Sequence, residues 1–335
     1  MRRALLLTLL AAVVLTPSAA QAAPPRSWAQ AEIRLVVSRG LMADSVATFR
    51  PDVPITQAEL TELIAGLTET ETAAGSSGRV TMAQLDAQLV RALELGDEAA
   101  LFYRGAAVAG LRPPARFGTE VVARLLGLRK NHPAADDRLE RLPSDPATRA
   151  EAAYSAAQIL RFSGWEKTAV EEAASTFEVP VLTPWQRRIL TTAFGLIGFP
   201  YVWGGESESK NSPYGQQAAG GFDCSGFAWR VYKLQSYPGG AQLAQTLRGR
   251  TAAAMAGEVG PRRRIAAARL VPGDLVFFGP GGPHARPAQV DHMGIYVGNG
   301  WMIHSSRYGV ALTTLTGWFS QRLAWGRRPL SEAGL

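Results

Sequence analysis

The chain has 335 residues, 47% hydrophobic and 19% charged, with a net charge of +7, 34 Gly, 21 Pro, four His and a single Cys. That length predicts about two domains, and the composition excludes a collagen-like, coiled-coil or wholly disordered chain. One cysteine excludes a disulfide scaffold and a cysteine-based zinc site, and four histidines leave little for a metal centre, so neither metal nor cofactor is expected.

Arg2 and Arg3 precede an apolar run from Ala4 to Leu15, then Pro17 and the small residues Ser18 to Ala22. This is the pattern of a secretory signal peptide over residues 1–22. Twelve apolar residues fall short of the roughly 20 that span a bilayer, so no transmembrane anchor is expected. The reading is an exported protein of the cell wall, periplasm or extracellular medium.

A helical region is predicted over residues 24–180. Trp28, Ala29, Ile33, Val36 and Val37 have helical spacing, and Gly40 stops that helix. A loop over residues 49–55 comes next, and Thr56 with Glu59 makes a capping box for a second helix carrying Leu60, Leu63, Ile64 and Leu67. Pro146-Ala147-Thr148-Arg149-Ala150-Glu151-Ala152 repeats Pro54-Ile55-Thr56-Gln57-Ala58-Glu59-Leu60 at an offset of 92 residues, and Thr81-Met82-Ala83-Gln84-Leu85 reads as a weaker third helix start. Such repetition predicts a small helical array with a shared core. Trp-Ala ahead of Ile33, Arg39-Gly-Leu-Met42, Thr48-Phe-Arg-Pro51 and the Pro54–Leu60 run are similar to an S-layer homology (SLH) repeat. That resemblance implies an all-α repeat domain whose partners are cell-wall polymers.

The prolines Pro180 and Pro184 mark a seam near Glu171–Thr183. Charge changes there too. Residues 24–181 hold 17 basic and 21 acidic residues, whereas residues 182–335 hold 16 and 7, which supports domains with different partners. The basic half lacks any nucleic-acid motif, and no nucleic-acid partner is expected.

Beyond the seam, residues 184–330 form the second predicted domain. A helix carries Ile189, Ala193, Leu196 and Ile197, and leads to the aromatic turn Phe199–Gly205. Phe222-Asp223-Cys224-Ser225-Gly226 leads into a helix with Phe227, Val231 and Leu234 on its apolar face. A lone thiol in an exported protein, placed at a helix N-terminus that lowers its pKa, reads as a nucleophile. Its base must be a histidine with an orienting partner. His132 and His284 fall in proline-flanked polar loops and read as bystanders, while His292 and His304 fall in strands joined around Asn299-Gly300. A two-residue turn would pair 298 with 301 and put the two histidines on opposite faces. A three-residue Gly298-Asn299-Gly300 loop pairs 297 with 301, opposes His304 to Gly294 and puts both on one face; this is the expected register. Two glycine-rich stretches, Glu206–Gly221 and Pro280–Pro287, read as lids or passive insertions.

Pro200-Tyr-Val-Trp-Gly-Gly205, Phe222-Asp-Cys-Ser-Gly-Phe227, Leu270-Val-Pro-Gly-Asp-Leu-Val-Phe-Phe278, His292-Met-Gly-Ile-Tyr-Val-Gly-Asn-Gly300 and Met302-Ile-His-Ser-Ser306 occur in that order. Over Pro184–Arg328 the chain resembles the NlpC/P60 cysteine peptidases. The resemblance implies a papain-like α+β fold, with a helix-borne cysteine packed on an antiparallel sheet. It implies Cys224 as nucleophile, His292 as general base and His304 as the orienting third member. It also implies Tyr201 beside the oxyanion position, and Asp223 and Ser225 at positions that in some members hold the amine of a stem peptide. The implied activity is a peptidoglycan endopeptidase cutting stem peptides, with γ-D-glutamyl–diamino acid bonds as the expected target. The alternative is a wall-binding scaffold with an inactive or occluded peptidase domain.

Overall fold

A computed structural model describes residues 27–71 and 75–335; the signal-peptide segment 1–22 lies outside the described residues. Among the described residues, no helix is long and apolar enough to cross a membrane. The helical region contains α1 (Gln30–Ser38), α2 (Gln57–Thr68), α3 (Met82–Ala92), α4 (Gly96–Val108), α5 (Phe117–Leu125), α6 (Arg149–Ile159) and α7 (Trp165–Thr176).

Three of these helices begin alike. Thr56, Thr81 and Thr148 cap α2, α3 and α6, each accepting from the backbone N–H three residues on, and Glu59 and Gln84 complete the first two capping boxes. The residues just ahead of these caps close a ring. Ile55 N–H donates to Ala147 O (2.9 Å), Ala147 N–H to Val80 O (2.8 Å), and Val80 N–H to Ile55 O (3.3 Å). Their side chains are fully buried at the centre, so the weak third copy at Thr81 takes part as fully as the other two. Arg149, the one basic residue directly after these three threonines, is buried. It bonds to the carbonyls of Phe49 and Met42 and to Glu59, and so acts as a tie within the array.

The C-terminal region starts with α8 (Pro184–Gly195), whose Thr183 cap and N-terminal Pro184 define its entry. Four two-residue strands come next: β1 (Glu206–Ser207), β2 (Asn211–Ser212), β3 (Gly215–Gln216) and β4 (Gly221–Phe222), paired β1–β4 and β2–β3. The Glu206–Gly221 stretch is therefore two small ribbons, tied by Gln217 to the carbonyls of Ser207, Ala219 and Gly221. The cysteine helix α9 (Cys224–Trp229) runs into a π-helical turn over Arg230–Leu234.

The sheet comprises β5 (Leu275–Phe278), β6 (His292–Gly298), β7 (Trp301–Ser306), β8 (Gly309–Thr314) and β9 (Leu323–Arg327), antiparallel in the order β8-β7-β6-β5-β9. This is the expected α+β arrangement, with α9 packed against β6 and β7. The β6–β7 turn departs from the expected loop. Asn299 and Gly300, both at positive φ, form a two-residue turn with Gly298 paired to Trp301. The register then shifts by one at Val297, giving Tyr296↔Met302 and Ile295↔Ile303. A bulge thus supplies the extra residue that a three-residue loop would have supplied, and the strand body keeps the expected register.

No loose linker separates the two regions. Phe102 and Phe177 hold their rings 5.9 and 5.2 Å from that of Trp301, Phe117 stacks on Phe194 at 4.7 Å, and one continuous cluster of buried apolar side chains runs through both regions. His132 is not a surface bystander: it is 3% exposed, edge-on to Trp28 at 4.6 Å.

Candidate active site

Cys224 stands at the first position of α9, where backbone N–H groups have no partner within the helix. Asp223 is the N-cap, accepting from Gly226 N–H. Gly226 has a steric reason: a Cβ there would come within 1.9 Å of the Gly205 carbonyl oxygen, so only glycine lets the helix start this close to the aromatic turn. The thiol is 8% exposed and lies against β6, where the Met293 N–H donates to it.

The expected depression of the Cys224 pKa is not found. Burial, reinforced by the Asp223 charge, pushes the thiol up to about 12, against opposing contributions from the Met293 and Ser225 N–H groups and from Arg250. A six-residue helix carries a small dipole, and desolvation outweighs it. Burial likewise pushes His292 down to about 4. The resting pair is a neutral thiol and a neutral imidazole.

His292 and His304 share one face of the sheet, as the shifted register requires. Continuing that register opposes His304 to Gly294, where a Cβ would approach the His304 Cβ to 3.0 Å; glycine there leaves room for the ring. His292 Nε2 lies 2.7 Å from His304 Nδ1, and His304 Nε2 lies 3.2 Å from Thr313 Oγ1. His304 is 1% exposed, and burial together with its histidine neighbour holds it well below the usual imidazole range. The Phe319 ring packs edge-on to His304 at 5.1 Å and 6.1 Å from His292, which shields the pair from water.

Tyr201 lies in an isolated parallel bridge with Phe222, next to the Asp223 cap. Burial, and then the neighbouring Cys224 and Asp223, push its phenol well above the ordinary range, so it stays a proton donor. Asp223 and Ser225 are gathered by Arg250, a residue outside the sequence reading. Its Nη1 donates to Asp223 Oδ1 (3.0 Å) and Ser225 Oγ (2.9 Å), its Nε to Glu206 Oε2 (2.8 Å), and its Nη2 to the carbonyls of Gly204 (2.9 Å) and Gly205 (3.0 Å). Ser225 also donates to Asp223 Oδ1 at 3.0 Å. The six predicted residues thus lie on adjoining elements, with Arg250, Glu206, Thr313 and Phe319 added by the fold. Among the described residues, no group of three His, Cys, Asp or Glu side chains is placed to hold a metal ion.

The NlpC/P60 family matches residues 198–328, and the S-layer homology domain matches residues 24–61. The chain is 35% identical over 130 residues to the "Probable peptidoglycan endopeptidase LytE" of Bacillus subtilis (strain 168), covering 38% of this chain and 29% of that protein. It is 33% identical over 132 residues to the "Gamma-D-glutamyl-L-lysine dipeptidyl-peptidase" of the same organism, covering 38% and 34%. With the "Murein DD-endopeptidase MepH" of Escherichia coli (strain K12) it shares 36% over 134 residues, covering 39% and 41%. The chain therefore spans less than half the length of each of these relatives. A solved NlpC/P60 family protein from Bacillus cereus ATCC 10987 aligns at 27% identity and a TM-score of 0.33, over 46% of this chain and 42% of its own. Over residues 198–328 the chain is thus similar to the NlpC/P60 family, and over residues 24–61 to the S-layer homology domain.

Proposed function

We infer that the protein is an exported peptidoglycan endopeptidase that cleaves stem peptides through a thioester on Cys224. The observation that carries the reading is the hydrogen-bonded row His292–His304–Thr313 across β6, β7 and β8, with the Cys224 helix packed on β6 and β7. In the attack step Cys224 Sγ bonds to the scissile carbonyl carbon while its proton passes to His292 Nδ1. For Nδ1 to accept, Nε2 must carry the other imidazole proton and donate to His304 Nδ1. His304 then donates from Nε2 to Thr313 Oγ1. This is the one arrangement of tautomers that makes every member of the relay useful. His292 next protonates the leaving amine, the C–N bond breaks, and water hydrolyses the thioester. The backbone N–H of Cys224 and the Tyr201 hydroxyl are the donors available to the developing oxyanion.

The bond proposed is γ-D-glutamyl–diamino acid, in keeping with the name of the B. subtilis dipeptidyl-peptidase. The name of the E. coli relative makes a D,D cross-link the second reading. Asp223 and Ser225 are proposed as substrate-facing residues, with Arg250 setting their geometry, and the helical array is proposed to place the enzyme on wall polymer. Mass spectrometry of muropeptides incubated with the protein, beside a Cys224→Ala control, tests the assignment. Stem peptides shortened to end at D-glutamate, without the diamino acid or the residues beyond it, are expected with the wild type alone. Loss of cross-linked dimers without stem shortening would assign the second bond, and no cleavage by the wild type would leave the inactive scaffold.

A further inference from the structure

The segment from Gly195 to Trp203 leaves α8, carries Tyr201 into the site and ends in the exposed Trp203. One side of it is held by the peptidase region itself. Gly198 N–H donates to Val310 O (3.0 Å), Val310 N–H to Phe199 O (2.7 Å), Val202 N–H to Phe222 O (3.2 Å) and Phe222 N–H to Pro200 O (3.1 Å). The other side is held by side chains of the helical region. Arg116 Nη2 donates to the carbonyls of Gly195 (2.8 Å) and Ile197 (3.2 Å), and Arg124 donates to that of Gly198. The Asn131 amide, turned with its nitrogen inward, donates to Tyr201 O (2.9 Å), and Asp137 Oδ2 accepts from Trp203 N–H (2.9 Å). All four side chains lie before residue 198, outside the stretch that matches the peptidase family.

We propose that the helical region is a working wall of the cleft, in which Asp137 and Asn131 are positioning residues that hold Tyr201 against the Cys224 helix. The inference rests on the peptidase reading for its consequence in turnover but not for its structural content. Asp137 and Asn131 grip the backbone on either side of Val202, so the peptide that leaves Tyr201 is pinned by two bonds from outside its own domain. Phe222, which pairs with this segment, is two residues from Cys224. A shift in the segment therefore reaches the thiol directly, and placement of reacting groups to within an ångström governs rate.

The test compares the full chain with Asp137→Ala, Asp137→Asn and Asn131→Leu, reading hydrogen exchange over residues 199–205 and steady-state cleavage of a muropeptide. Asp137→Ala is expected to speed exchange in that segment about tenfold and to lower kcat about tenfold, with KM moving less than about twofold, as loss of a positioning hydrogen bond requires. Asparagine still offers an oxygen to Trp203 N–H, so Asp137→Asn should stay within about threefold of wild type in both readings. Asn131→Leu should show the alanine pattern, and unchanged exchange in α6 certifies that each variant is folded. Wild-type exchange and turnover in Asp137→Ala, or equal damage from Asp137→Asn, would overturn the proposal. If the wild type cleaves no muropeptide, the peptidase reading fails and the exchange result alone decides this one.

Discussion

A thiol pushed up to about 12 and an imidazole pushed down to about 4 are both neutral at rest, so in the proposed mechanism the proton moves only when substrate is in place. With both rings of the relay desolvated, the tautomer is set by hydrogen bonds and not by charge. Thr313 ends that chain of bonds, and Thr313→Val should lower kcat about tenfold with little change in KM, while Thr313→Ser keeps most of the activity. Steady-state kinetics on the three proteins checks this; equal rates for valine and threonine would remove Thr313 from the relay. Cys224, His292 and His304 are legible in the sequence because a lone cysteine at a capped helix start and two strand histidines are rare features with few other uses. Thr313 and Arg250 are not, since a threonine in a strand and one arginine among 31 carry no local signal. The thiol pKa escapes the sequence for a related reason: helix position is visible there, but burial is not.

At the scale of elements, the capped helix starts are the most legible feature, because a capping box is a local pattern with a local energy. The β6–β7 turn is half legible. Asn-Gly marks a tight turn, yet the bulge at Val297 depends on strand twist and neighbours that no short window records. The loop between α5 and α6 hides more. Among side chains there, Glu140 accepts from His132 N–H, and burial together with Glu151 and Asp137 pushes it up to about 8, with Arg129 opposing. A folded-state pKa above the unfolded value of 4.5 means that the folded protein holds the proton where the unfolded chain has released it. Stability from this group is thus full below about pH 4.5 and is lost as the pH rises to about 8. Glu140→Gln keeps an acceptor for His132 and removes the titration. Its melting temperature should gain on that of wild type steadily from pH 5 to pH 8, as thermal melts across that range would show. A constant gap would mean that Glu140 does not hold the extra proton.

The whole molecule contradicts its own sequence punctuation. Charge balance and prolines both divide the chain near residue 180, yet the aromatic contacts of Trp301 with Phe102 and Phe177 cross that line. Pro180 itself packs on the β6–β7 turn, where a Cβ on Gly298 would meet its ring at 2.3 Å. Long-range packing of this kind comes from which apolar faces find each other, and no linear boundary signal reports it. Calorimetry should give one transition with equal calorimetric and van't Hoff enthalpies; two resolved transitions would show that the regions fold independently.

The ring of Ile55, Val80 and Ala147 bears on the order of events during synthesis. Its last member lies 92 residues after its first, so the centre of the array cannot close until the chain has grown past Ala147, and closure waits on the slow meeting of distant segments. Until then α1 and α2 lack α6, the helix on which both pack. A nascent chain whose first repeat cannot settle on its own stays threadable for as long as its C-terminal neighbours are missing. The ring at the heart of the array thereby acts as a timer on folding.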